Sequence, residues 1–198
     1  MSIVILKYNA GNVFSVESAI KRLGVEVLVT DDKDLIRKAD KVIFPGVGEA
    51  SSTMEFLREK GFDKLIIGLQ QPVLGICLGM QLMCAHSEEG DAKCLNIFDD
   101  VDVRRFMPKK HEDKVPHMGW NMLSDVKSPL FDPSIESEYV YFVHSYYVPV
   151  NKYTIATSDY IQPFSASLNK DNYFATQFHP EKSGSIGESI LQNFLLNC

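Results

Sequence analysis

The chain has 198 residues, of which 45% are hydrophobic, and a formal net charge of −6. That length and apolar content suit one domain spanning residues 1–198 with a sizeable core, not two. Charges of both signs are interspersed, which argues against a nucleic-acid surface. The one short basic run, Lys109-Lys110-His111, is followed at once by Glu112-Asp113 and reads as a solvated loop.

In chain order, the opening apolar run Ile3-Val4-Ile5-Leu6 is too short for a signal peptide or a membrane span and reads as a first strand. Val13, Val16, Ile20 and Leu23 make a helical stripe that stops at Gly24. Residues 25–29 read as a second strand, 35–38 as a short helix and 41–44 as a third strand. Ser52 with Glu55 forms a capping-box pattern for a helix carrying Met54 and Leu57 and ended by Gly61. A further short helix covers 62–69. This alternation predicts a parallel, doubly wound sheet with helices on both faces. Past residue 100 the pattern turns strand-rich, at 101–106, 139–143, 146–148, 154–157, 164–168 and 173–178. Asn169-Lys170-Asp171-Asn172 reads as a four-residue hairpin turn. Ser185 with Glu188 opens a last helix through Ile190, Leu191 and Phe194. The expected fold is α/β: an open mixed sheet, a parallel core with antiparallel additions.

The run Val73-Leu74-Gly75-Ile76-Cys77-Leu78-Gly79-Met80-Gln81 carries the chemistry. An apolar strand, 73–76, runs into a helix-like segment, 78–86, with Cys77 at the junction. A side chain on so sharp a turn is crowded by its own backbone, so glycines two residues before and two after fit. Such a nucleophile elbow sets the sulfur at the carboxyl edge of the sheet. It also aims the first helical amides at whatever the sulfur attacks, favouring a thiolate and a developing oxyanion. A lone cysteine before a helix also suits a core position, so two other segments matter. In Thr176-Gln177-Phe178-His179-Pro180-Glu181, His179 can serve as base and Glu181 as its orienting acceptor. Residues two apart in an extended segment share a side, and Pro180 disfavours a helical His179. In Phe44-Pro45-Gly46-Val47-Gly48-Glu49, two glycines allow close backbone approach and offer amides for an oxyanion hole. The remaining cysteines, Cys84, Cys94 and Cys198, form no close pairs. This suits a reduced cytoplasmic protein without structural disulfides, with Cys84 a packing residue. His86, His111 and His117 lack ligand spacing, so no metal is expected.

The order of these segments resembles the class I (triad) glutamine amidotransferases, from Ala10-Gly11-Asn12 to the final helix. Ser87-Glu88-Glu89-Gly90, Pro116-His117-Met118-Gly119-Trp120-Asn121, Val143-His144-Ser145-Tyr146-Tyr147 and the run 175–184 narrow the resemblance. They point to the glutaminase subunits of imidazole glycerol phosphate synthases, in histidine biosynthesis. The resemblance implies a flavodoxin-like fold, no cofactor, and hydrolysis of L-glutamine to glutamate and ammonia through a cysteine thioester. Cys77 would be the nucleophile, His179 the base and Glu181 its orienting carboxylate. Amides of Leu78 and of Gly46-Val47-Gly48 would form the oxyanion hole. Gln81 and the backbone of Ser145 and Tyr146 would hold the amino-acid end of glutamine. Asn12, Met118, Trp120 and Lys182 would face a (β/α)8-barrel cyclase subunit, which joins the ammonia to its own substrate to give imidazole glycerol phosphate and AICAR. The chain departs from the family at Lys7-Tyr8-Asn9, where Asp-Tyr-Gly is frequent, and at Glu49-Ala50-Ser51-Ser52-Thr53-Met54, which lacks a phenylalanine. Competing readings are a paralogous glutaminase subunit feeding another synthase, such as one making an amidino sugar, and a free-standing cysteine hydrolase. A catalytically silent binding subunit is disfavoured by the intact Cys77, His179 and Glu181.

Overall fold

In a computed structural model, which describes residues 1–8, 12–127 and 129–198, the elements follow the alternating pattern through the first half of the chain. They are β1 (Ile3–Leu6), α1 (Val13–Arg22), β2 (Leu28–Thr30), α2 (Lys33–Lys38), β3 (Lys41–Gly46), α3 (Ala50–Glu59), α4 (Phe62–Ile67), β4 (Val73–Cys77) and α5 (Leu78–Leu82). The strand-rich remainder comprises β5 (Cys84–Ser87), β6 (Ala92–Lys93), β7 (Phe98–Arg105), β8 (His117–Met122), β9 (Tyr139–His144), β10 (Tyr146–Tyr147), β11 (Thr154–Tyr160), β12 (Gln162–Lys170) and β13 (Tyr173–Thr176), closed by α6 (Gly184–Asn197). Of the segment Ala10-Gly11-Asn12 where the family resemblance starts, Ala10 and Gly11 lie outside the described residues, as does the preceding Asn9.

Among the described residues the largest sheet has the order β11-β12-β13-β4-β3-β1-β2. Its strands from β2 to β13 are parallel, and β12 and β11 add antiparallel at one edge. The inner parallel strands β1, β3, β4 and β13 are buried along their length and mostly apolar because both faces are covered, whereas the edge strand β2 is partly exposed. In β1, Val4 and Leu6 pack with Ile36, Leu57 and Leu65 from α2, α3 and α4, while Ile3 and Ile5 pack with Val16, Ile20 and Ile190 from α1 and α6. Fully burying each such side chain is worth about 1.5–3 kcal/mol. A second sheet, β10-β7-β5-β6, and the antiparallel ribbon β8–β9 complete the fold. No helix among the described residues is long and apolar enough to cross a membrane.

Several local expectations are corrected. The segment 78–86 is not one helix: α5 stops at Leu82 and the chain turns into β5. The Met83 carbonyl accepts from the amides of Ile97 and Phe98, and Cys84 pairs with Phe98, so sheet pairing displaces the next helical turn. The cap of α3 is Glu49, whose carboxylate accepts from Ser51 and Ser52 amides at 3.1 and 2.9 Å; Ser52 lies inside the helix. The turn at 169–172 shrinks to Asp171-Asn172, because Lys170 pairs with Tyr173 and extends β12. Ser185 does not cap α6, which begins at Gly184, and Glu188 instead pairs with Arg22 at 2.9 Å. The second strand starts at Leu28 rather than Val25.

Candidate active site

Parallel pairing brings three segments to one carboxyl edge. Gly46 of β3 pairs with Cys77 of β4, and Thr176 of β13 pairs with Ile76. The carboxyl edge of an open α/β sheet is where ligands bind. Cys77 has φ 55° and ψ −110°, an elbow that costs a non-glycine residue roughly 1–3 kcal/mol. Both flanking glycines are required by contact. A Cβ on Gly79 would collide with the Phe44 carbonyl oxygen, and one on Gly75 would stand 3.1 Å from the backbone of Gly79 and Met80. Tyr8 supports the neighbouring strand end, its buried hydroxyl donating to the Pro45 carbonyl at 2.5 Å. Burial, and then the Cys77 sulfur, raise that phenol's pKa and keep it a donor.

His179 and Glu181 are both buried, and Nδ1–H of His179 donates to Oε1 of Glu181 at 2.8 Å. The reason differs from the one expected. His179 is extended, but Pro180–Lys182 is a turn of 3-10 helix, so the tight turn rather than strand alternation swings the carboxylate back onto the ring. Asn12 donates to the same Oε1. Burial pulls the His179 pKa down, but the Cys77 sulfur and the Glu181 carboxylate outweigh it and raise it to about 10. His179 Nε2 is buried with no hydrogen-bond partner among the described residues, which leaves that nitrogen available for chemistry.

These groups border a cavity of about 360 Å³, a size for a small molecule. Cys77, His179, Val47, Gly48, Leu78, Gln81, Ser145 and Tyr146 line it. Gly46 is buried beside Cys77 and is not part of the lining. Gln81 Nε2 donates to the Tyr146 carbonyl at 3.1 Å and to Gln177 Oε1 at 2.9 Å, which spends both its hydrogens. Gln177 Nε2 in turn donates to the Cys77 sulfur at 3.8 Å. Sequence reasoning assigned Gln177 no role, although it stands two residues before His179. It also missed Glu89, a lining carboxylate in the Ser87-Glu88-Glu89-Gly90 run. Burial raises the Glu89 pKa, opposed by the Ala50 amide it accepts at 2.9 Å.

Of the residues expected at a partner interface, Met118 and Trp120 are 64% and 55% exposed on β8, and Lys182 is exposed. Asn12 is half-buried and turned towards Glu181. Among the described residues, no cluster of three or more His, Cys, Asp or Glu could hold a metal ion.

The family Glutamine amidotransferase class-I matches residues 4–198. Imidazole glycerol phosphate synthase subunit HisH of Bacteroides thetaiotaomicron is 64% identical over 195 residues, covering 98% of this chain and 99% of that one. The protein of the same name from Idiomarina loihiensis is 47% identical over 196 residues, covering 98% and 97%. Among solved structures, a glutamine amidotransferase superposes with TM-score 0.72 at 18% identity, covering 97% of this chain and 96% of that one. A glutamine amidotransferase from Thermotoga maritima does so with TM-score 0.64 at 16% identity, covering 98% and 82%. At those identities the structures speak for the fold alone, which is the flavodoxin-like mixed sheet expected.

Proposed function

The chain belongs to the class I glutamine amidotransferases, and from that premise we propose that it is the glutaminase subunit of an imidazole glycerol phosphate synthase, acting in histidine biosynthesis in the cytoplasm as one domain over residues 1–198. The observation that carries this reading is the full-length 64% identity to a subunit of that name, joined to an elbow cysteine and a paired histidine on one cavity.

Glutamine enters with its carboxamide at Cys77. The thiolate attacks the carboxamide carbon, and the oxyanion that forms is stabilised by the Leu78 amide and by an amide of the Gly46-Val47-Gly48 segment. His179, held protonated by its neighbours, gives its proton to the leaving ammonia. As a neutral base it then activates the water that hydrolyses the glutamyl thioester. Glu181 fixes the ring and stabilises its charge. At the other end of the cavity Gln81, Ser145 and Tyr146 hold the amino-acid group. Glu89 supplies negative charge for its α-ammonium, and the free Gln81 Oε1 is a second acceptor for it.

Ammonia released into water would be protonated and lost, so the site needs a docked acceptor enzyme. Exposed Met118, Trp120, Met122 and Tyr139 form an apolar stripe on the β8–β9 ribbon, whose His144 end reaches the cavity. That stripe supports a barrel cyclase as the partner, with the exposed Lys182 as a further contact to it. The test is glutamate release by the purified chain with and without the barrel cyclase and its ribulosyl ligand. Release should be slow alone and rise strongly in the complex. A chain running at full rate alone and indifferent to the barrel would overturn this reading.

A further inference from the structure

Two buried imidazoles are left unused by that chemistry. His117 and His144 stand opposite each other on the β8–β9 ribbon. The Tyr146 carbonyl can only accept, and it receives His144 Nδ1 at 2.7 Å and Gln81 Nε2 at 3.1 Å. His144 therefore carries its proton on Nδ1 and offers a lone pair at Nε2. His117 Nδ1, 3.0 Å from that lone pair, must donate to it. His117 Nε2 is then an acceptor and faces Asn121 Nδ2 at 3.4 Å, and the same amide group also donates to the Asp159 carbonyl at 2.8 Å. A carbonyl at each end thus sets the direction of every bond between them. Burial lowers both ring pKa values, to about 4 for His117 and about 3 for His144, so both rings are neutral near pH 7.

We propose that His117 and His144 are positioning residues for glutamine: a one-directional hydrogen-bond relay that starts on β8, holds the Tyr146 carbonyl, and through it sets which way the Gln81 carboxamide faces. This deepens the glutaminase reading and rests on it. With the carbonyl held by His144, Gln81 must donate to it and keeps Oε1 as its free acceptor at the cavity, the polarity an α-ammonium needs. With the relay broken, the amide is free to turn over and present N–H groups to a cation. His144 lines the cavity, but His117 does not, so any effect of His117 on substrate travels through its neighbour.

Two measurements on the full chain test this. Proton–nitrogen correlation spectra of the unligated protein near neutral pH should show both rings neutral and protonated on Nδ1; a proton on Nε2 of either ring overturns the relay. The second is steady-state glutamate release in the complex with the barrel cyclase. His117→Phe keeps an aromatic ring against Phe142 and Tyr160, whose centroids lie 5.0 and 4.0 Å away, but has no donor. It should raise KM for glutamine about three- to tenfold, the worth of one buried hydrogen bond, with a smaller change in kcat. His117→Asn places Nδ2 where Nδ1 stood and should recover most of that loss. An unchanged KM in His117→Phe, an equal loss in His117→Asn, or a loss confined to kcat would refute the proposal. Failure of the glutaminase reading is seen separately, as turnover surviving in Cys77→Ala, while the ring tautomers are read without substrate.

Discussion

Asn12 and His179 donate to the same oxygen, Oε1 of Glu181, from positions 167 residues apart in the chain. The carboxylate is thereby held from two sides. Its other oxygen is buried without a partner among the described residues, so little else restrains it. Asn12→Ala should lower kcat for glutamate release about tenfold with KM nearly unchanged, because a hydrogen bond to a charged group is worth roughly 1.5–3 kcal/mol. A full kcat would show that the 3-10 turn alone suffices to hold Glu181.

Cys77→Ala should abolish glutamine turnover and leave the cyclase partner active with added ammonium salts at high pH, since only ammonia supply is lost. The sulfur is also one of the groups raising the His179 pKa, so a nitrogen-detected titration of His179 should fall from about 10 in this variant. His179→Asn should remove turnover as well. Glu181→Gln should lower it less, because the carboxylate orients and stabilises the ring and does not itself transfer the proton.

Gly48 has φ 114°, and a Cβ there would meet nothing within 4 Å. Gly48→Ala therefore acts through backbone strain rather than collision, at about 1–3 kcal/mol. The expected outcome is a lower kcat with the His179 titration unmoved, read by paired kinetics and spectra. A variant with wild-type kcat would remove Gly48 from the oxyanion segment.

Trp120→Ala should weaken docking of the barrel cyclase about thirtyfold or more, the loss of a central aromatic anchor at about 2 kcal/mol. Being 55% exposed, Trp120 contributes little to the free chain, so the unfolding midpoint should barely move. Titration calorimetry against the barrel cyclase checks the first expectation and denaturant unfolding the second.

Stability should fall on both sides of neutrality, through different histidines. His179 has a folded pKa near 10 against an unfolded value of 6.5, so its contribution is complete below pH 6.5 and is lost as pH rises towards 10. His117, with a folded pKa of about 4, has the opposite sign: below pH 6.5 the unfolded chain takes up a proton that the folded chain refuses. That costs on the order of 3 kcal/mol by about pH 4. Urea unfolding across the range should show both limbs, and His117→Phe should make the acid one shallower without removing it, since His144, with a folded pKa of about 3, acts with the same sign.

The parts of this protein legible in sequence are those whose causes are local. Gly75 marks the elbow because a Cβ there would crowd the backbone of Gly79 and Met80 in the same turn, whereas the Phe44 carbonyl that excludes a Cβ on Gly79 comes from the neighbouring strand. His179-Pro180-Glu181 marks a charge pair because two residues of chain keep the ring and the carboxylate within reach, even though the turn type differed from the expected extended one. Alternating apolar strands and helical stripes announced the doubly wound sheet for the same reason. Tertiary structure alone decided the rest. It stopped α5 at Leu82 by pairing Met83 and Cys84 with β7, brought Asn12 to Glu181, spent both hydrogens of Gln81, and set His117 against His144. Each of these joins groups far apart in the chain. A hydrogen bond depends on distance and direction in space, and residue types alone carry neither until the sheet has brought the strands together.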